Sequence, residues 1–236
     1  MHKIAQWIKD KVTEAGAKGC VFGLSGGIDS AVVGALCKQA FPQETLALIL
    51  PCHSLSTDIE LALDFAKKFN IPVRKIDLSS VFGALFQALE GKAYNNEKEL
   101  VVSNLKPRLR MISLYYYAAK MNYLVIGTGN KSELEMGYFT KYGDGGVDLL
   151  PLGNLLKSGV RALAAELKIP PAIIDKAPSA GLWEGQTDEG EMGITYADLD
   201  RILTGKLDGI GKDKIALVKK RQTASQHKRA LPEIYS

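Results

Sequence analysis

Four short apolar runs punctuate the first half of this chain: Val21 to Leu24, Leu46 to Leu50, Val73 to Ile76 and Leu124 to Ile126. A segment of helical spacing, such as Ile59 to Phe69, separates each run from the next. No other feature constrains the fold as much. Strands joined through helices lie parallel, and a parallel sheet needs helices over both faces. The expected class is therefore α/β, a parallel sheet with helices on both faces. In such sheets ligands bind beyond the carboxyl ends of the strands. Three runs are followed at that end by polar segments: Ser25 to Ser30, Pro51 to Thr57 and Gly127 to Glu133. One site shared by these three loops is the physical expectation.

The first of these loops is the most specific. Gly23-Leu24-Ser25-Gly26-Gly27-Ile28-Asp29-Ser30 lies between the strand Cys20-Val21-Phe22 and a helix-like segment from Ala31 to Ala40. Glycines let a backbone approach an anion, and the unpaired amides of a first helical turn point at it. Ser25 and Ser30 add hydroxyl donors, and Asp29 adds a carboxylate suited to a cation beside phosphates. No lysine follows in the Walker position and the GxGxxG spacing is absent, so neither common nucleotide fingerprint applies. Asp29 pairs with Glu133. Each follows a strand by a few residues, and Mg²⁺ commonly takes one or two carboxylates with phosphate oxygens and water.

The 236 residues, 46% of them hydrophobic, suffice for one domain with a substantial core, and no linker divides residues 1–236. A net charge of +4 suits a small anionic ligand and does not call for nucleic acid. Leu207 to Lys220 resembles a helix-hairpin-helix, but a glycine connection with a solvated basic face explains it equally well. Cys20, Cys37 and Cys52 lie in apolar stretches without CxxC spacing, which predicts buried free thiols and a cytoplasmic setting. Met1 to Val12 reads as an amphipathic helix, not a signal peptide, and no apolar run is long enough to span a membrane.

After Met136 the texture changes. Gly137 to Asn154 is rich in glycine and aspartate, and Ala177 to Thr195 mixes proline, glycine and acids. Neither reads as a regular element, and loops of this length are usually functional covers.

The phosphate loop resembles that of the ATP-pyrophosphatase superfamily, with its Rossmann-like sheet. Further motifs narrow the likeness. Gly127-Thr128-Gly129-Asn130-Lys131-Ser132-Glu133 precedes Gly137-Tyr138-Phe139-Thr140-Lys141-Tyr142-Gly143-Asp144-Gly145-Gly146-Val147-Asp148-Leu149. Then come Pro151-Leu152, Lys157, Pro178-Ser179-Ala180, Gln186-Thr187-Asp188-Glu189 and His227-Lys228-Arg229. From about residue 20 to 232 this series resembles the ammonia-dependent NAD synthetases. They convert nicotinic acid adenine dinucleotide (deamido-NAD) into NAD: ATP adenylylates the nicotinate carboxylate, releasing pyrophosphate, and ammonia then displaces AMP.

The resemblance assigns Gly23 to Ser30, Thr128, Lys157 and Ser179 to ATP, and Asp29 and Glu133 to Mg²⁺. Arg108, Lys141, Asp148, His227 and Lys228 fall to deamido-NAD. Arg108 and Arg110, two apart on a helix, face nearly opposite sides and do not share that task. Lys157 would stabilise phosphate oxygens during adenylyl transfer. Asp144 would attract ammonium and help to remove its proton, or else serve as a turn aspartate bonded to the glycine backbone. The resemblance also implies a homodimer with the dinucleotide site near the interface. Tyr115 to Tyr117, three in a row, must spread around a helix, some into the core and some to a subunit contact. Glutamine-using relatives carry a separate glutaminase domain, and no cysteine here lies in an amidase setting, so free ammonia is the expected donor. The loop Pro51 to Asp58, with His53, departs from the family pattern. It receives no role, and His53 reads as a surface residue.

Overall fold

In the computed structural model, which describes residues 1–183 and 185–235, the expected parallel sheet is present. Helix α1 (Lys3–Glu14) precedes strand β1 (Gly19–Gly23), helix α2 (Ile28–Ala40), β2 (Thr45–Ile49), α3 (Ser56–Lys68) and β3 (Val73–Lys75). Helices α4 (Ser79–Glu90), α5 (Leu100–Ser103) and α6 (Leu105–Met121) lead to β4 (Tyr123–Val125) and α7 (Lys131–Met136). The rest is helical: α8 (Lys157–Glu166), α9 (Pro171–Ile174), α10 (Asp188–Met192), α11 (Tyr196–Leu203) and α12 (Lys212–Ala224). A short 3₁₀ turn, Gln226–Lys228, closes the chain. The strands sit within two residues of the apolar runs that announced them.

Strand order is β3-β2-β1-β4 and every pairing is parallel. Side chains alternate across the pleat. Cys20, Phe22, Ala47 and Ile49 enter one core layer under α1, α2, α3 and α8. Val21, Leu46, Leu48 and Val125 enter the other, under α4 and α6. Both faces are therefore buried, which is why β1 and β2 read as continuous apolar runs. Each fully buried aliphatic or aromatic side chain contributes about 1.5–3 kcal/mol. Gly34 lets α2 lie close on the sheet, since a Cβ there would come within 2.8 Å of the Phe22 ring.

From β1 the chain winds to β2 and β3 on one side, then crosses back to β4 on the other. The crevice between the carboxyl ends of β1 and β4 is thus the topological switch point, where ligands of open α/β sheets bind.

Two sequence expectations need correction here. Gly137 to Asn154 is not wholly irregular: Leu149 forms a parallel bridge with Ile126, beside β4. Ala177 to Thr195, of which Glu184 lies outside the described residues, contains the helix α10. Five residues are too few for a periodicity signal, so α10 was invisible in the sequence. A third apolar cluster, Met136, Met192, Ile194, Tyr196, Leu199 and Val218, joins α7, α10, α11 and α12 beside the sheet. Val218 anchors α12 there, so the hairpin-like segment around Gly209 is the connection between α11 and α12. All three cysteines are buried free thiols, and no helix among the described residues is long and apolar enough to cross a membrane.

Candidate active site

The β1–α2 turn is shaped by Gly26, whose φ of +81° favours glycine and whose absent Cβ would lie 2.3 Å from the Asp58 carbonyl oxygen. The serines organise the turn. Ser25 N–H donates to Ser30 Oγ (3.2 Å), the two hydroxyls lie 3.1 Å apart, and Ser30 Oγ donates to the Gly27 carbonyl (2.9 Å). Gly27 occupies the N-cap of α2 and supplies no capping side chain, so the first-turn amides face outward. That is a preformed anion cradle.

Across the crevice, α7 starts with a capping box. Asn130 Oδ1 accepts from Glu133 N–H (3.1 Å), and Asn130 N–H donates to Glu133 Oε2 (3.2 Å). The fully buried Asn130 also donates from Nδ2 to Asp29 Oδ1 at 2.9 Å. One side chain therefore fixes both carboxylates expected to hold a metal. Lys157, 2% exposed, completes the cluster: Nζ donates to Asp29 Oδ2 at 2.6 Å and to Glu133 Oε1 at 3.3 Å. Helix α8 has no capping side chain of its own. Its first amides are taken up across space instead, Lys157 N–H by Ser132 Oγ (3.0 Å) and Ser158 N–H by Asp200 Oδ2 (2.9 Å). Ser132 in turn donates to Asp200 Oδ1 at 2.6 Å.

Tyr196, at the start of α11, closes the far side. Its hydroxyl lies 2.9 Å from Asp188 Oδ2 and 3.3 Å from Glu133 Oε1, and the Lys157 ammonium stands 4.9 Å from its ring centroid. Burial and then the neighbouring Asp29 push the Glu133 carboxyl up to about 8, against the opposing pull of Lys157. Burial also lowers the tendency of Lys157 to hold its proton, but Asp29 and Glu133 outweigh it and keep the ammonium charged.

Asp29, Glu133, Lys157 and Asp188 line one cleft of about 820 Å³ at the switch point, and Asn130, Ser132 and Tyr196 support them from behind. All the residues singled out from the sequence line it except Gly26, which shapes the turn, and Asp148. Asp148 spends both carboxylate oxygens on the fold: Tyr115 Oη donates to one (2.9 Å) and Val125 N–H to the other (2.7 Å). Asp144 lines the cleft, yet its Oδ1 accepts from Thr140 N–H at 2.9 Å, the bond of a turn aspartate. Arg108 and Arg110, expected to face opposite sides, both line the cleft, but they take different partners. Arg108 reaches the Lys141 carbonyl, whereas Arg110 holds the loop after β2 through the Leu50 carbonyl (3.1 Å) and Ser54 Oγ. Lys141 Nζ donates to the His227 carbonyl, and Lys228 Nζ donates to the carbonyls of Gly137 and Phe139, each at 2.8 Å. The 3₁₀ turn is thereby fastened to the glycine-rich segment. His53 is exposed, with its ring against Phe82 and Tyr94.

Sequence reasoning missed Asn130, Asp188, Tyr196 and Asp200 as members of the site. Asn130-x-x-Glu133 before a helix is a capping signature, and that signal was available. The others depend on packing between distant helices.

Two carboxylates in one cleft are hard oxygen donors of the kind Mg²⁺ takes alongside phosphates and water. Among the described residues no cluster of three His, Cys, Asp or Glu is placed to hold a metal ion by itself.

A family model described as NAD synthase matches residues 1–232. An NH(3)-dependent NAD(+) synthetase from Carboxydothermus hydrogenoformans is 51% identical over 99% of this chain and 95% of the relative. Among solved structures, an NMN synthetase from Francisella tularensis aligns with a TM-score of 0.92 and 41% identity, covering 99% of this chain and 95% of that one. An NH3-dependent NAD synthetase from Campylobacter jejuni aligns at 0.81 and 34%, covering 99% and 96%.

Proposed function

The chain belongs to the NAD synthase family, and on that premise we propose that it amidates deamido-NAD to NAD with ammonia and ATP. The observation that carries this reading is the convergence of the glycine-serine anion turn with Asp29, Glu133 and Lys157 at the switch point. A nicotinate oxygen attacks the α-phosphorus of ATP and pyrophosphate leaves. Ammonia then attacks the acyl carbon of the mixed anhydride, AMP departs, and a proton is lost from nitrogen.

The anion turn Gly23 to Ser30, with Thr128 and Ser179, grips the triphosphate, and Lys157 stabilises charge on its oxygens. Asp29 and Glu133 would hold Mg²⁺, which supplies Lewis-acid neutralisation of the leaving pyrophosphate. Arg108, Lys141 and Lys228 form the cationic wall for the dinucleotide, with His227 beside them. Asp148 serves that wall from behind by tying Tyr115 to β4. Asp144 is the carboxylate on that side of the cleft for drawing in ammonium. The high cover of an NH(3)-dependent relative supports ammonia as the donor. We further place the enzyme in the cytoplasm as a single domain and a homodimer, its contact on the outer face of α6, where Ile112 and Tyr116 are each 59% exposed.

The likeness to an NMN synthetase favours one second reading, the same amidation on the mononucleotide. Purified protein is incubated with ATP, Mg²⁺ and ammonium chloride plus either deamido-NAD or nicotinic acid mononucleotide. A parallel run replaces ammonium with glutamine. Equal yields of NAD, AMP and pyrophosphate, with a higher kcat/KM for the dinucleotide, support the first reading. A preference for the mononucleotide selects the second, and AMP release with neither acceptor refutes both.

A further inference from the structure

Each of the four carboxylate oxygens of Asp29 and Glu133 already accepts a hydrogen bond. Asn130 holds Asp29 Oδ1 and Glu133 Oε2 from a buried capping box, whereas Lys157 Nζ occupies Asp29 Oδ2 and Glu133 Oε1. The cap belongs to the start of α7 and is fixed. The Lys157 ammonium, at the end of a flexible stem, is the one donor able to leave. A cation binding between both carboxylates meets a like charge there, and that repulsion favours displacing the ammonium. Once displaced, a 2%-exposed ammonium needs another acceptor, because a buried charge without a partner costs several kcal/mol.

An acceptor is ready. Asp188 is 4% exposed, and its Oδ1 is the one buried side-chain nitrogen or oxygen among the described residues with no hydrogen-bond partner. The other oxygen, Oδ2, is held by Tyr196, whose hydroxyl also reaches Glu133. Asp188 is thus one hydroxyl away from the carboxylate that Lys157 vacates. The Tyr196 ring, 4.9 Å from Lys157 Nζ, offers the ammonium a π face along the way. Asp188 and Lys157 already attract each other through space. The Tyr138 hydroxyl, which donates to Glu191, also lies beside Asp188 as a donor that an arriving ammonium would replace.

We propose that Lys157 is a resident stand-in for the metal, holding the two carboxylates together until a cation arrives and then moving its ammonium to Asp188 Oδ1. Asp188 is on this view a positioning residue: it promotes cation binding by receiving the displaced charge. The inference rests on reading Asp29 and Glu133 as cation ligands.

The test uses nucleotide-free protein and Mn²⁺ alone, so that phosphate oxygens cannot substitute for Asp188. Affinity is measured by titration calorimetry, with electron paramagnetic resonance counting free Mn²⁺. Lys157→Gln removes the competitor and tightens binding about tenfold. Asp188→Asn keeps an acceptor for Tyr196; it weakens binding about fivefold with Lys157 present and less than about twofold in Lys157→Gln, a coupling expected only of residues that act through each other. Equal Asp188→Asn effects in both backgrounds would make Asp188 a simple through-space charge and overturn the proposal. So would an unchanged affinity in Lys157→Gln, or an Asp188→Asn variant that melts lower yet binds Mn²⁺ normally. Mn²⁺ binding that survives Asp29→Asn refutes the metal reading itself, a separate failure. Should the Lys157 variants not fold, a crystal structure of the wild type with Mn²⁺ decides. Nζ on Asp188 supports the exchange, and Nζ still between Asp29 and Glu133 overturns it.

Discussion

Asn130 joins the two halves of the site, and its replacement separates two effects. Asn130→Ala removes the N-cap of α7, worth about 1 kcal/mol, and the bond to the Asp29 carboxylate, worth about 1.5–3 kcal/mol because one partner is charged. The two overlap at one buried side chain, so the expected total is about 3 kcal/mol. In a chain of this length that lowers Tm by about 6–12 °C. Asn130→Ser retains a capping oxygen but is too short to reach Asp29, so it isolates the second contribution. Its expected stability lies midway between wild type and Asn130→Ala. Its turnover falls about tenfold, since Asp29 then loses the fixed donor that orients it from α7. Differential scanning calorimetry at pH 7 gives the stabilities, and NAD formation under saturating substrates gives the rates. An Asn130→Ser variant with wild-type turnover would show that the bond across the crevice does not orient Asp29. An Asn130→Ala variant melting within about 2 °C of wild type would refute the energetic reasoning altogether.

Asp29→Asn is expected to reduce turnover about a hundredfold or more, roughly 2.7 kcal/mol of transition-state stabilisation, measured in steady state at saturating Mg²⁺; a near-normal rate would remove it as a ligand. Glu133→Gln keeps the capping box while deleting a carboxylate whose folded-state pKa of about 8 lies above its unfolded value near 4.5. The folded wild type binds the extra proton in that window, so its stability falls as pH rises from about 4.5 through 8. In metal-free buffer Glu133→Gln therefore melts above wild type at pH 9, and the gap closes toward pH 6; a gap independent of pH would contradict the sign. Asp144→Asn is expected to raise the ammonium KM and shift the pH profile of the second step, and an unchanged profile would leave Asp144 as a turn residue only. ATP with deamido-NAD is expected to protect the 137–154 and 177–195 segments from proteolysis, and cleavage rates equal with and without them would rule out closure.

The sheet was legible because its two buried faces demand continuous apolar runs, and the switch point because the glycine-serine octet sits at the end of the first strand. Residues carried by those strand ends, such as Asp29, Thr128 and Glu133, could be placed before any coordinates. What escaped is long-range. Asp200 lies 42 residues from the Ser158 amide it accepts, and Asp188 meets Glu133 only through Tyr196. No local pattern encodes such meetings, because they are set by how α7, α8, α10 and α11 assemble. Asp148 shows the converse: a motif residue that the alternation of loop and strand could not distinguish from a cleft residue, and that the fold uses to anchor the edge beside β4.

The change of texture after Met136 has a physical cause in the same assembly. Asp29 and Glu133 converge on a single buried lysine, and Tyr196 ties the buried Asp188 to Glu133, an arrangement that opposes folding unless something offsets it. The third apolar cluster lies directly under those acids: Tyr196 belongs to it by its ring and to the site by its hydroxyl, and Met136 ends the helix that begins with the Asn130 cap. Packing α7, α10, α11 and α12 together supplies apolar burial where the charges are most costly. A cluster of this kind does not need a strand, so the second half of the chain carries helices and glycine-rich connections in place of the alternation. The negative charge that remains is what a cation is drawn to. Making the site more stable by removing an acid, as in Glu133→Gln, therefore also removes its reason to bind.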